Sequence, residues 1–453
     1  MVPTLAACTQ EPFEVTLPYA VPSKFEASKQ TTTPKVSQWW KRFASEELNR
    51  YMAVAADDNF DIAAAISRLE QSEQQAHIIR AALFPVIGYE SSSVRSQSSG
   101  TTSPNVISSP RISTSLSRIV NASYILDVWG QNRDALRAAL HTRDFSAYQV
   151  EVVRLTTRAA VVNDYLQYAA DLERIMVAKE NLANAERVLG VIRQRLAAGT
   201  AAALDVAQEE SLVASQRAAI PSLRLAAETS RTALALLLGK PAQLIHPTIK
   251  STRRLQLPKA SPGMPSSLLL RRPDVRAAEE QMLAADANVD VARKAFLPTI
   301  QLTGDVGVQS AALSTLLRPE SVVWSVAAGL TQPIFQGGKL RAQLALSEAQ
   351  RQELLESYRK SILSALIDVE NALIAIRENR VREEAQLVAV STAQQALSLT
   401  EQRLREGTID VTTVITAQNT LFQAQDLLIQ IRLSRLQAIV SLFQAIGGDW
   451  DDR

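Results

Sequence analysis

Two long proline-free stretches constrain the fold of this chain more than any other feature of its sequence. Arg133 to Ala197 contains one glycine, Gly190, and Leu340 to Glu406 contains no glycine. Both stretches are dominated by Ala, Leu, Glu, Gln, Arg and Val, most of which favour the helix. At 1.5 Å per residue the first would form a helix about 98 Å long. The sequence therefore predicts a fold built around two very long helices.

Each long stretch ends at a glycine, Gly199 or Gly407, after which the chain reverses. Ala201 to Leu238 would form a returning helix of about 57 Å, and the earlier stretch Asn59 to Ala82 one of about 36 Å. Stacked end to end, these two match the length of one long helix. The prediction is a helical wall of uniform height, with the glycine turns at one end.

The sequence also repeats itself, which indicates two copies of one unit. The segment Gln194 to Thr200 returns in similar form as Gln402 to Thr408, a shift of 208 residues. Further upstream the shift is 213 residues, as between Pro85 and Pro298. Each copy has about two hundred residues, and the copies differ by small insertions.

Four segments alternate between apolar and polar residues with a period of two. The alternation is strict in Thr299–Gln309, clear in Ser321–Ile334, and weaker in Ile112–Val128 and Pro85–Arg95. About ten residues is the length at which a tilted strand crosses a bilayer. For any single segment a soluble hairpin is the more common outcome. Four such segments with little other β character favour membrane-spanning strands.

Four strands are too few to close a barrel, which takes at least about eight. Unpaired backbone groups at an open edge find no partner in lipid, so several chains would have to combine. The longest apolar runs, such as Ala233–Leu238, fall well short of the roughly 18 residues of a membrane-spanning helix. A long soluble coiled coil remains the alternative for the helices.

Composition argues against several other classes of function. The formal charge of +2 gives no reason to expect nucleic acid as a partner. One cysteine and three scattered histidines, His77, His141 and His246, supply neither a disulfide framework nor a metal cluster. The chain has no phosphate-binding glycine loop and no nucleophile elbow. We therefore expect no enzymatic activity and no cofactor.

Several motifs occur in an order typical of one known family: Trp39-Trp40-Lys-Arg-Phe43, Asn59-Phe-Asp61-Ile-Ala-Ala-Ala, Leu83-Phe-Pro85, Leu126-Asp-Val-Trp-Gly130, Leu268-Leu-Leu-Arg-Arg-Pro-Asp-Val275, Leu297-Pro298, Pro333-Ile-Phe-Gln-Gly-Gly338 and both Gly-Thr turns. From about Val15 to Gly448 the chain resembles the outer membrane efflux family of TolC-like channels. It is most similar to the lipoprotein branch that serves resistance-nodulation-division (RND) pumps.

The resemblance implies a mixed α and β membrane protein. A long α-helical barrel, the periplasmic tunnel, would continue into a transmembrane β-barrel with four strands per chain and two internal repeats, closed only as a homotrimer. The implied function is that of the outer membrane channel of a tripartite efflux system in a Gram-negative bacterium. It would passively export small molecules delivered by an inner-membrane RND-type pump through a periplasmic adaptor. A channel for an ABC-driven (type I) secretion system and a soluble periplasmic coiled-coil scaffold remain alternatives.

The predicted organisation has six segments. These are a signal remnant at 1–8, a tether and equatorial segment at 9–58, a first repeat at 59–240 with strands near 85–129, a proline-rich linker and equatorial segment at 241–273, a second repeat at 274–448 with strands near 298–335, and a tail at 449–453.

The resemblance also implies the functional residues. Cys8, after Leu5-Ala6-Ala7, would carry the lipid that anchors the chain in the outer membrane. In this family the adaptor docks at the two turns. The resemblance therefore implies that the adaptor-docking residues are Arg195, Leu196, Gly199, Thr200, Arg403, Leu404, Gly407 and Thr408. The resting constriction of the family falls by position on Thr412 and Thr416, where this sequence lacks the usual carboxylate and leucine. Asp205 and Asp410 are nearby acids for that role, with helix capping as the alternative.

Overall fold

The structure is a computed structural model, and it describes residues 17–22, 24–26, 38–99, 112–258, 264–265 and 271–448. The chain divides into two compact units. Within the described ranges, the first unit comprises Leu69–Ser146 and Ala278–Tyr358, and the second comprises parts of Thr16–Arg68, Ala147–Ala277 and Arg359–Arg453.

Seven α-helices occur in the described part of the chain. They are α1 Glu46–Asp58, α2 Phe60–Ala81, α3 Gln131–Ala197, α4 Ala203–Leu237, α5 Pro273–Lys294, α6 Lys339–Glu406 and α7 Val411–Ala445. The two long helices, α3 and α6, have 67 and 68 residues, which confirms the long helices expected from the sequence. Helix α4 runs through Pro221 without a break. None of the described helices combines the length and apolar content needed to cross a membrane.

The first unit contains the only sheet among the described residues. Its strands are β1 Val86–Gln97, β2 Ile112–Leu126, β3 Thr299–Ser310 and β4 Val322–Thr331, close to the predicted segments. They pair antiparallel in the order β1-β2-β3-β4. Strands β1 and β4 are therefore edges, and each has one side without a paired strand among the described residues.

The sheet has one polar and one mainly apolar face, because side chains alternate along each strand. On the polar face Ser92 and Ser117 share a hydrogen bond of 2.7 Å, and Asp305 accepts one of 2.9 Å from Ser325. The other face carries exposed large apolar side chains such as Trp324. Arg118 is an exception on that face, and its guanidinium donates to backbone carbonyls.

The second unit has a hydrophobic core built around Trp39. This ring stacks on Phe443 with centroids 5.0 Å apart, and both side chains are fully buried. The segment that follows α4 is held to this unit by two carboxylates. Glu47 accepts from the backbone N–H of Thr248 at 2.7 Å, and the buried Glu173 accepts from the Ser251 hydroxyl at 2.8 Å.

Candidate functional site

The turn after α3 is a glycine-capped helix end. Gly199 has a φ of +75°, which glycine adopts without the steric penalty of a Cβ. The Gly199 N–H donates to the Leu196 carbonyl and the Thr200 N–H to the Arg195 carbonyl, both at 2.9 Å. The Thr200 hydroxyl adds a third bond of 3.1 Å to the same Arg195 carbonyl. These bonds satisfy the Arg195 and Leu196 carbonyls, two of the carbonyls that a helix end leaves without partners.

The turn after α6 repeats this geometry. Gly407 has a φ of +77°, and its N–H donates to the Leu404 carbonyl at 3.0 Å. Thr408 donates to the Arg403 carbonyl from its backbone N–H at 3.0 Å and from its hydroxyl at 3.2 Å. Both glycines are therefore C-caps in the left-handed conformation. A capping role for the glycines is compatible with the predicted adaptor contact at the exposed residues around them.

Arg195 joins the two turns. Its guanidinium donates to the Leu404 carbonyl at the end of α6 and, at 3.4 Å, to the Thr200 carbonyl of its own turn. Leu404 itself is buried, at 2% exposure, whereas Leu196 is 37% exposed. The structure therefore brings the predicted docking residues of both turns together, with Leu404 supporting the surface from below.

Asp205 and Asp410 both cap helices. The Asp205 carboxylate accepts from the Ala202 N–H at 2.9 Å at the start of α4. Asp410 precedes α7 and accepts from the N–H and the hydroxyl of Thr413, at 2.8 and 2.5 Å. These two bonds from Thr413 lower the pKa of Asp410. The capping alternative is thus seen in the structure for both residues.

Thr412 and Thr416 lie exposed one turn apart on α7. The Thr412 hydroxyl reaches the side-chain oxygen of Gln208 on α4 at 3.4 Å, and the Thr416 hydroxyl donates to the Thr412 carbonyl at 2.9 Å. These two hydroxyls give the start of α7 a polar but uncharged surface.

Ion pairs tie the helices together near the turns. Arg187 of α3 reaches Glu401 of α6 at 2.8 Å, and Arg193 of α3 reaches Glu210 of α4 at 2.6 Å. The Arg193 pair is largely exposed and contributes little to stability on its own. The Glu401 carboxylate is mostly buried, so its pairing with Arg187 matters more for the local packing.

Sequence reasoning missed two buried polar residues in this region, Glu209 of α4 and Gln418 of α7. Both are 0% exposed, within the apolar cluster that packs the helices near the turns. The sequence does contain a sign that Glu209 is buried, because Glu209 follows Val206 by three residues and precedes Val213 by four. Residues at such spacings share a helix face.

One further group of side chains has the composition of a metal site. The ligand atoms of His141, Asp144 and Glu280 in the first unit lie within 4.8 Å of one another. His141 Nδ1 is already hydrogen-bonded to Glu280 at 2.7 Å, and Arg143 pairs with Asp144 at 2.6 Å. We assign no metal to this group, because these contacts already engage its side chains. The predicted lipidation site, Cys8, lies outside the described residues.

Two segments of the chain, 53–240 and 264–448, match the outer membrane efflux protein family. The chain belongs to the outer membrane efflux protein family. It is 37% identical to the pyoverdine export outer membrane protein OpmQ of Pseudomonas putida, over 99% of this chain and 96% of that protein. It is 33% identical to the outer membrane protein OprJ of Pseudomonas aeruginosa, over 91% of this chain and 86% of OprJ.

Solved structures agree with this assignment. A membrane protein from Pseudomonas aeruginosa superposes with a TM-score of 0.86 at 30% identity, covering 95% of this chain and 99% of the other. The outer-membrane channel OprN gives a TM-score of 0.89 at 26% identity, covering 97% and 99%. The protein is an outer membrane channel component of an efflux system, located in the outer membrane of a Gram-negative bacterium.

Proposed function

We propose that three copies of this chain form one closed conduit through the outer membrane. It passively exports small molecules that an inner-membrane RND-type pump delivers through a periplasmic adaptor. The observation that carries this proposal is the sheet, which has two open edges, one polar face and one apolar face. Pooled from three chains, twelve strands exceed the minimum of about eight for a closed barrel.

The strand edges support closure by other copies. Exposing the unpaired N–H and C=O groups of β1 and β4 to lipid would cost free energy. Pairing β1 of one copy with β4 of the next would give these groups hydrogen-bond partners. The strands have 10 to 15 residues, sufficient to cross a bilayer at a tilt. The apolar face would then contact lipid, and the polar face would line the pore.

A stripe on α6 supports assembly of the helical part. Ile367, Ile374, Val381 and Val388 recur every seven residues and are 39–65% exposed. Seven-residue spacing puts them on one face, as in a coiled-coil seam. Val369, on the opposite side of α6, is fully buried in the core of the second unit. A second copy of the chain would cover the exposed stripe.

We also propose the two-repeat organisation predicted from the sequence, with repeats at 59–240 and 274–448. The family matches the chain twice, over 53–240 and 264–448, which supports it. Each half contains, in the same order, a helix of 22 residues, two strands, a helix of more than 65 residues and a helix of 35 residues.

The two turns are the proposed contact with the adaptor. They expose short backbone loops beside Leu196, and Arg195 holds them together, so they form one surface. Just beyond them, Asp205, Asp410, Thr412 and Thr416 are the proposed constriction. Cys8 is the proposed lipid anchor, by analogy with the lipoprotein branch of the family.

The proposed cargo is a small organic molecule. Relatives of this chain are named for pyoverdine export and for toluene efflux, and the two that match most of its length at 37–38% identity carry the pyoverdine name. A siderophore of the pyoverdine type is therefore the first cargo to test. The ABC-driven alternative has no specific observation in its favour.

An export assay in cells tests the proposal. Deleting the gene should cause cells to retain the cargo, and the wild-type gene should restore export. The variant Leu196→Asp, at the exposed turn, should reach the outer membrane as an assembled trimer but fail to restore export. Glu378→Gln, at an exposed position of α6 far along the chain from both turns, serves as the control. Full export by a strain lacking the chain and its paralogues would overturn the proposal.

A further inference from the structure

Glu209 is fully buried at the contact between α4 and α7. Neither of its carboxylate oxygens has a hydrogen-bond partner among the described residues, and neither amide atom of Gln418 on α7 has one either. Buried polar groups are nearly always hydrogen-bonded, so two adjacent exceptions require an explanation. A carboxyl in this position is tolerated far better neutral than charged.

Among the described residues, no cation offsets a charge on Glu209. Leu212 and Val213 of its own helix and Val414, Leu421 and Phe422 of α7 belong to one buried apolar cluster. From α6, the Glu401 carboxylate acts on Glu209 as a like charge. Arg187 of α3 and Arg405 of α6 pair with Glu401 instead, at 2.8 and 3.8 Å.

We propose that Glu209 and Gln418 form a protonation-dependent latch between α4 and α7, next to the turns that end the helical hairpins. With Glu209 protonated, the acid and the amide can share complementary hydrogen bonds and the helices stay packed. With Glu209 ionised, a charge lies in an apolar contact, and water can reach it only if the helices separate. The consequence for the pore rests on the proposed function as a trimeric conduit.

The direction of the pH effect follows from the environment of Glu209. Burial raises the pKa of its carboxyl from 4.5 to about 7, and the like charge of Glu401 adds to the rise. The packed form therefore holds a proton that the separated form releases. The latch is strongest below about pH 4.5, weakens as the pH rises towards 7, and levels off at its weakest above that. The region beside the turns should open as the medium becomes less acidic.

Hydrogen exchange and single-channel conductance, measured from pH 5 to 8 on the full-length trimer, test the latch. For the wild type, exchange in α4 and α7 near Glu209 and the open probability should rise together, by up to about tenfold per pH unit below pH 7. Glu209→Gln should remove this rise. Glu210→Gln, at the neighbouring exposed position, should retain it.

A second variant protects the test against misfolding. If Glu209→Gln does not assemble, Glu209→Met supplies an apolar side chain of similar length and should likewise show no rise between pH 5 and 7. A pH response in either neutral variant equal to that of the wild type would overturn the latch, as would a flat wild-type response. Absence of pores at every pH would instead contradict the proposed conduit, while the exchange measurement would still decide the latch.

Discussion

At the residue scale, the two glycine turns show how single backbone positions shape the candidate site. Gly199 and Gly407 lie at positive φ, where a Cβ is disfavoured, whereas Gly190 lies within α3 with nothing within 4 Å of an added Cβ. The same chemical change, glycine to alanine, should therefore have opposite effects at Gly407 and Gly190.

Gly407→Ala should destabilise the protein by about 1 kcal/mol, because alanine pays a steric cost in the left-handed region. Gly190→Ala should stabilise it by about 0.5–1 kcal/mol, because glycine is unfavourable inside a helix. Urea unfolding of the two variants, compared under one set of conditions, measures both changes. Equal shifts of the same sign would show that backbone conformation does not govern these positions.

The cap at Asp410 should show a pH dependence. Its folded pKa lies below the ordinary value of 3.8, so the cap contributes fully above about pH 4 and is lost as the pH falls through the folded pKa. Asp410→Ala should speed hydrogen exchange in the first turn of α7 at neutral pH. Asp410→Asn should preserve protection, because asparagine also caps helices. Equal exchange in the alanine variant and the wild type would rule out the cap.

Only some of the residue roles at the candidate site can be predicted from the sequence. The glycines at 199 and 407 and the acids at 205 and 410 were identified because turns and caps have local signatures. The burial of Glu209 and Gln418 was not predicted. The spacing of Glu209 from Val206 and Val213 places it on an apolar face of α4, but no local pattern specifies that α7 covers that face. The bond from Arg195 to the Leu404 carbonyl was missed for the same reason.

At the element scale, the helices and strands were the most predictable features. Period-two alternation placed β3 and β4 within a few residues, because bilayer-length strands need a long regular pattern. The order of strands in the sheet was not predicted. Pairing of β2 with β3 joins segments more than 170 residues apart, and no local pattern specifies it.

The stripe on α6 should control assembly. Val381→Glu places a charge in the seam that a second copy would cover, and should convert the proposed trimer into monomers in detergent. Arg380→Glu, on the flank of the same helix, changes the charge by more but should leave the trimer intact, because its exposed pair with Glu384 is weak. Light scattering in detergent measures the mass. A trimeric Val381→Glu variant would show that the stripe is not an interface.

At the scale of the whole molecule, the polar face of the sheet should govern ion preference. Within the four described strands, this face carries two carboxylates, Glu90 and Asp305. It carries no lysine or arginine, because the arginines of the strands, Arg95 and Arg118, lie on the opposite face. In a trimer, six carboxylates would line the barrel and favour cations.

The double variant Glu90→Gln and Asp305→Asn should therefore lose cation preference, seen as a reversal potential that moves towards zero under a salt gradient. Glu320→Gln, in the loop between β3 and β4, is the matched control and should keep the wild-type potential. An unchanged potential in the double variant would mean that this face does not line the pore.

If this chain makes a pore only by pooling its strands with two other copies, the conducting particle must contain three chains. Extraction from outer membranes, followed by mass measurement and planar-bilayer recording on the same sample, can decide this. We expect a particle with three times the 49.5 kDa mass of the chain that conducts ions. A particle with the mass of one chain, recovered from the aqueous fraction and forming no pores, would rule out the pooled pore.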